Sequence, residues 1–265
     1  IRLIDTGNKR ERYACLSHCW GGQYPLRTTK KPDTLSDHLE NIEEQDLPKT
    51  FRDAIKVIVE LGIRFIWIDS LCIVQDDDKD WQVQSAQMAS IYANSTLTIA
   101  ASASSGPHEG LFRVAAPDLI GWSISNFPDI RARKPLQHDS ERLPLLERGW
   151  VFQERLLSPR VLHFTDHELI WECMEHLDCE CQRLENPTAH FWSVSKQLCH
   201  PDRWRLLKDD HSEITDVWMR LIMDYFQLAL SKPDDIFPAI SGIAKSFGEA
   251  TGWDYFAGMW KQTMI

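Results

Sequence analysis

Arg64–Asp76 reads RFIWIDSLCIVQD. An apolar run, Phe65, Ile66, Trp67 and Ile68, stops abruptly at an aspartate and a serine, with a cysteine and a glutamine close behind. Apolar residues without alternation mark a strand buried on both faces, the pattern of a parallel sheet. In open α/β sheets, ligands bind just outside the carboxyl ends of the strands. Asp69, Ser70, Cys72 and Gln75 are therefore candidate site residues on position alone.

Just upstream, Phe51, Ala54, Ile55, Ile58 and Leu61 recur at helical spacing and form one apolar face. Thr50, with Asp53 three residues on, is expected to cap that helix, and Gly62 to end it. Further back, Tyr13–Ser17 (YACLS) is a short strand, followed at once by His18, Cys19, Trp20, Gly21 and Gly22. The two glycines permit unusual backbone angles and close approach to a ligand. The pattern is neither a GxGxxG fingerprint nor a Walker loop. Residues 23–46 are polar and proline-containing, and read as a loop with one short helix.

Downstream, Asp80 is expected to cap a helix whose stripe is Trp81, Ser85, Met88 and Tyr92, widened by Ile91. Thr96–Ala100 (TLTIA) is a third strand. Strand, helix, strand, helix, strand is the signature of a parallel sheet with crossover helices. The small, polar stretch ASASSGPHEG from Ala101 is a loop at the same edge. Residues 111–147 are irregular, with one candidate strand at Ile120–Ser125.

Arg148–Leu157 (RGWVFQERLL) is a helix ended by Ser158-Pro159, with Trp150, Gln153, Glu154 and Leu157 on one face. A carboxylate on an apolar face is costly unless paired or protonated. Glu154 is thus either paired with Arg148, Arg155 or Arg160, or is a functional acid with a raised pKa. Arg160–Phe164 and Glu168–Cys173 flank the polar turn Thr165-Asp166-His167 as a hairpin. Val217–Leu230 and Asp234–Phe247 are helical and separated by Pro233. The expected fold class is α/β: a mostly parallel sheet with flanking helices and a flavodoxin-like core, plus an added β-hairpin and C-terminal helices. Residues 1–175 form the α/β domain in this reading, and 176–265 a helical extension packed on it.

The 265 residues suffice for a sizeable core, and 43% hydrophobic content with mean hydropathy -0.35 is ordinary for a soluble chain. Eleven tryptophans suit a core or an aromatic-lined pocket. A net charge of -10 argues against non-specific nucleic-acid binding, though converging arginines could still hold a small anion. No apolar run is long enough to span a membrane. The chain lacks a signal-peptide pattern and opens on Ile1, so a fragment of a cytoplasmic protein is expected. Seven cysteines, an odd number, fit reduced intracellular thiols. Cys173, His176, Cys179 and Cys181 form C-x2-H-x2-C-x-C, ligand types that suit zinc. That spacing is compressed and lies among Glu172, Glu175, Asp178 and Glu180, so neither structural zinc nor a cofactor is expected. His108, His138 and His190 are scattered in polar loops and are assigned no role.

Four segments in order resemble the fungal heterokaryon-incompatibility (HET) domain. They are YACLSHCWGG at Tyr13, LPKTFRDAI with RFIWIDSLCIVQDD across Leu47–Asp78, DWQVQSAQMASIYANSTLTIAAS at Asp80, and RGWVFQERLLSPRVLHF at Arg148. WECM, DDIFPAISGIA and DYFAGMW resemble the region that follows such domains. His18 departs from the family pattern, which usually has an aromatic residue there.

The resemblance implies a part in regulated cell death when genetically different fungal cells fuse, with other protein domains or a second copy as partners. It also implies distant kinship with TIR domains, some of which cleave NAD at the nicotinamide glycosidic bond with a glutamate. On that analogy NAD is a substrate. Glu154 would stabilise the ribosyl cation, and Asp69 would hold ribose hydroxyls or a water. Ser17, Gly21 and Gly22 would face phosphate, Trp150 would stack on a base, and His18, Trp20, Cys72, Gln75 and Gln153 would line the pocket. Two other readings stay open. In one, the domain is a non-catalytic signalling or assembly module and Glu154 merely pairs with an arginine. In the other, it is a hydrolase with Cys72 as nucleophile and His18 as base, although a cysteine in an apolar stretch is more often a small buried hydrophobe.

Overall fold

Strand β1 (Tyr13–Ser17) is flanked in parallel by β2 (Phe65–Ile68) on one side and β3 (Leu97–Ala100) on the other. The computed structural model describes the chain apart from residues 8, 23–24, 115–116, 139–140, 183, 185–195 and 265, so His190 lies outside the described residues. Helices α1 (Thr34–Glu40) and α2 (Lys49–Glu60) connect β1 to β2. The single turn α3 (Asp69–Cys72) and helix α4 (Asp78–Ala93) connect β2 to β3. A longer excursion follows, with the turn α5 (Pro117–Ile120), the hairpin β4 (Trp122–Ile124) and β5 (Phe127–Ala132), and helix α6 (Gly149–Leu157). It ends in β6 (Arg160–Phe164), parallel to β3. Strands β7 (Leu169–Cys173) and β8 (Leu177–Cys179) then add antiparallel, giving the order β2-β1-β3-β6-β7-β8. Helices α7 (Pro201–Leu207), α8 (His211–Tyr225) and α9 (Pro238–Thr251) and the ribbon β9 (Tyr255–Phe256) and β10 (Met259–Trp260) complete the chain. Among the described residues no helix is long and apolar enough to cross a membrane.

The fold class is the one expected, an α/β sheet with a parallel core. The hairpin β6–β7 extends that sheet, because β6 bonds to β3 on its other side. Several local expectations are corrected. Strand β2 is the sheet's edge, so Phe65, Ile66 and Trp67 are only half-buried and Ile68 alone is fully enclosed. Thr50 and Asp53 form no capping box. Both lie inside α2, where Thr50 Oγ1 accepts from Gly110 N–H (3.1 Å) and Asp53 Oδ2 from Leu111 N–H (2.9 Å), tying down the loop after β3. Helix α4 is capped by Asp77, while Asp80 accepts from Val74 N–H at 2.8 Å. In the C-terminal part, α8 begins at His211 because Asp210 caps it, and α9 starts only at Pro238 after a short turn at Pro233–Ile236.

Alternation along β1 divides its side chains between two layers. Ala14 and Leu16 pack with Phe51, Ala54 and Ile58 of α2. Cys15 points the other way, into a cluster with Met88 and Tyr92 of α4 and with Trp150 of α6. Helix α9 lies across α4 and α6. Its Gly242 permits this: a Cβ there would sit 2.2 Å from the Ala89 Cβ. The C-terminal helices gather Trp204, Trp218, Phe247 and Trp260 into a second core that takes in Phe152 and Leu156 of α6.

Candidate active site around Glu154

Ser17, the last residue of β1, shares the α4–α6 face with Cys15 by strand alternation. Its hydroxyl donates to Glu154 Oε2 at 2.6 Å. The Tyr92 hydroxyl, from α4, reaches the same oxygen at 3.1 Å. Glu154 is only 6% exposed. Burial pushes its carboxyl up to about 7, with the Ser17 hydroxyl and the Arg148 guanidinium opposing and the Asp69 charge reinforcing the shift. A carboxyl poised near neutrality can both hold and release a proton at working pH.

His18 falls on the opposite face of β1 and meets the Phe51 ring edge-on at 4.9 Å. Its Nδ1 lies 3.7 Å from Asp69 Oδ1, and among the described residues neither ring nitrogen makes a hydrogen bond. Burial lowers the imidazole's pKa, the Asp69 charge partly opposing it, so the ring is neutral at pH 7. The Arg148 guanidinium donates to the His18 carbonyl. Asp69, at the exit of β2, accepts from Trp20 Nε1 at 3.0 Å and from its neighbour's Ser70 N–H at 2.7 Å. Its side chain is 22% exposed. Gln75 supports this corner through Nε2, which donates to the carbonyls of Asp69 and Ile73.

Gly21 has φ +70°, and a Cβ on it would fall 2.9 Å from Gly106 Cα, so only glycine lets the two loops touch. Gly22, also at positive φ, has open space where a side chain would be. Beside this contact a cleft of about 410 Å³ opens along the carboxyl edge, lined by Ser105, Glu109, Arg113, Arg142 and Asp166 among others.

The remaining candidates are engaged differently. The Cys72 thiol is pushed up to about 11 by burial and is protonated at neutral pH, unlike an activated nucleophile. Trp150 donates to Asp235 Oδ2 at 2.8 Å, and Gln153, 1% exposed, accepts from Gly242 N–H at 3.3 Å. Both face the C-terminal helices. Of the arginines near Glu154 in sequence, Arg155 is committed to Glu172 and Arg160 reaches the Thr96 carbonyl. Glu154 is therefore held by hydroxyls, with Arg148 acting on it through its charge. Tyr92 was legible only as one member of a helical stripe; nothing local marks its hydroxyl as a partner of a residue 62 positions away.

The family model for heterokaryon incompatibility protein (HET) matches residues 13–154, more than half of the chain. This chain belongs to the HET family. The match runs from the first residue of β1 to Glu154, so the HET domain contains the parallel strands β1–β3, α4 and the carboxylate that Ser17 and Tyr92 hold. Membership ties the chain to heterokaryon incompatibility in general. No curated protein and no solved structure matches it.

Proposed function

We propose that this HET domain is a nucleotide glycosidase acting on NAD, in the setting of cell death that follows fusion of unlike fungal cells. The observation that carries the reading is Glu154: a buried carboxyl with its pKa near 7, beside the carboxyl end of β1. The strand order reverses between β1 and β3, the place where open α/β sheets bind ligands. Breaking the bond from nicotinamide to ribose builds positive charge on the sugar. An ionised Glu154 would stabilise that charge where it develops, then take a proton from the water that adds to the ribose. Nicotinamide leaves neutral, and the products are ADP-ribose and one proton. Asp69 would orient ribose hydroxyls, Trp20 would line the base, and the Gly21–Gly22 backbone would face the phosphates, with Arg142 and Arg113 in the adjoining cleft. Glu154 is 6% exposed, so substrate would reach it only after a local opening of the site. Activity in this reading rises with pH through about 7, as Glu154 ionises.

A second reading is favoured by one specific feature. Glu154 is enclosed, and its hydrogen bonds come from the domain's own Ser17 and Tyr92. In that reading the carboxyl locks β1 to α4 and α6, and the domain works by assembly with other domains. Incubation of the purified protein with NAD, following nicotinamide release at low and self-associating concentrations, separates the two. Release by the wild type and a loss of at least 100-fold in Glu154→Gln supports the glycosidase, on the scale expected for removing one acid–base group. Absence of release at every concentration supports the assembly module, and equal release by the variant takes the chemistry away from Glu154.

A further inference from the structure

We infer that His138, Glu168, Cys179 and Cys181 form a structural zinc site outside the Glu154 cluster. One ligand atom from each lies within 4.8 Å of all the others. His138 Nε2 is 3.2 Å from Cys181 Sγ, 3.7 Å from Cys179 Sγ and 3.2 Å from Glu168 Oε1, and the two sulfurs are 3.3 Å apart. Zinc bonds of about 2.0 Å to nitrogen or oxygen and about 2.3 Å to sulfur give tetrahedral edges of roughly 3.3–3.8 Å. The observed separations approach those edges, so a cation at the centre fits with only small side-chain adjustments.

A second, independent observation points to a cation. Glu168 Oε1 is buried and, among the described residues, makes no hydrogen bond. Its other oxygen accepts from Cys181 N–H at 2.8 Å, which fixes the carboxylate with Oε1 turned toward His138 and the sulfurs. A buried carboxyl oxygen that makes no hydrogen bond is costly, and a divalent ion beside it removes that cost. Behind the ring, Glu141 Oε2 lies 3.9 Å from His138 Nδ1, longer than a hydrogen bond but within reach of one after a small shift on metal binding. A carboxylate behind a ligating histidine orients the ring and raises its basicity. Two soft sulfurs with one imidazole and one carboxylate suit zinc over calcium or magnesium, and four protein ligands make a closed, structural site. The bound form holds two thiolates, a carboxylate and a neutral imidazole, and the two thiol protons pass to solvent.

The ligands come from three places: the connection between β5 and α6, the β6–β7 turn, and the end of β8. An ion there pins the excursion after β3 to the antiparallel edge of the sheet. It divides the C-x2-H-x2-C-x-C run, using Cys179 and Cys181 and leaving Cys173 and His176 outside, where Cys173 Sγ accepts from His176 N–H at 3.3 Å. His138, distant in sequence, takes the place they would have filled.

Elemental analysis of untagged protein tests the site. About one zinc per chain is expected, as for a four-ligand structural site. Cys181→Ser and His138→Ala are expected to lose it, while Cys173→Ser and His176→Ala keep it. A chelator should lower the melting temperature of the wild type and leave that of Cys181→Ser unchanged. If the variants fail to fold, cobalt substitution of the wild type serves instead: intense tetrahedral bands with a thiolate-to-cobalt charge-transfer band support the site. A wild type that takes up neither zinc nor cobalt after reconstitution overturns it. Loss of metal in Cys173→Ser with retention in Cys181→Ser overturns it equally.

Discussion

Glu154 accepts from two hydroxyls, while its sequence neighbour Arg155 is spent on Glu172. Its folded pKa of about 7 lies above the ordinary 4.5, so folding favours the protonated form. The stability this contributes is complete below pH 4.5 and is lost as pH rises through 7, to the extent of about 3 kcal/mol. Urea denaturation across that range should show the decline in the wild type and a flatter profile in Glu154→Gln. Ser17→Ala removes a donor that favours the ionised form. It should cost about 1–3 kcal/mol and move the Glu154 titration upward, read from the same pH series. Glu154 itself was legible in the sequence, because a carboxylate beside Trp150 and Leu157 on a helix face demands an explanation. Its partners were not: Ser17 stands 137 positions away, and only strand alternation within the assembled sheet turns it toward α6.

Helix α9 crosses α4 and α6 where Gly242 faces Ala89, Gln153 and Leu157. Gly242→Ala puts a Cβ 2.2 Å from the Ala89 Cβ and 2.8 Å from Gln153 Oε1. The helices have to separate, and the variant should lose about 1–3 kcal/mol, seen as a lower urea midpoint with an unchanged slope. At this scale the strands and helices of the β1–β3 unit follow from apolar spacing, which depends on each segment's own period. The caps do not. Thr50 and Asp53 have the spacing of a capping box, but Gly110 and Leu111 of a distant loop take up both side chains. The edge position of β2 was equally hidden, since a four-residue apolar run reads alike at the edge and the centre of a sheet.

Across the whole molecule, a buried ionic network joins α6, the antiparallel edge and the chain beyond residue 195. Arg155 donates to both oxygens of Glu172, His163 Nε2 lies 3.2 Å from Glu172 Oε2, and Lys196 donates to the carbonyls of Arg155 and Ser158. Burial alone would raise the Glu172 carboxyl; Arg155, His163 and Lys196 together hold it well below the usual carboxylate range. Its contribution is therefore present above about pH 4.5 and is lost in acid. Arg155→Met leaves Glu172 buried without its main partner and should cost about 3–5 kcal/mol by thermal or urea denaturation. Glu172→Leu in the same chain should recover most of that loss. The sheet order places β1 between β2 and β3 and sets its carboxyl end against α6, where everything proposed for Glu154 rests on its protonation. An infrared titration of the Glu154 carboxyl band, assigned by its absence in Glu154→Gln, measures that protonation directly. The structure predicts a midpoint near 7. Complete ionisation by about pH 5, as for an ordinary glutamate, would contradict it.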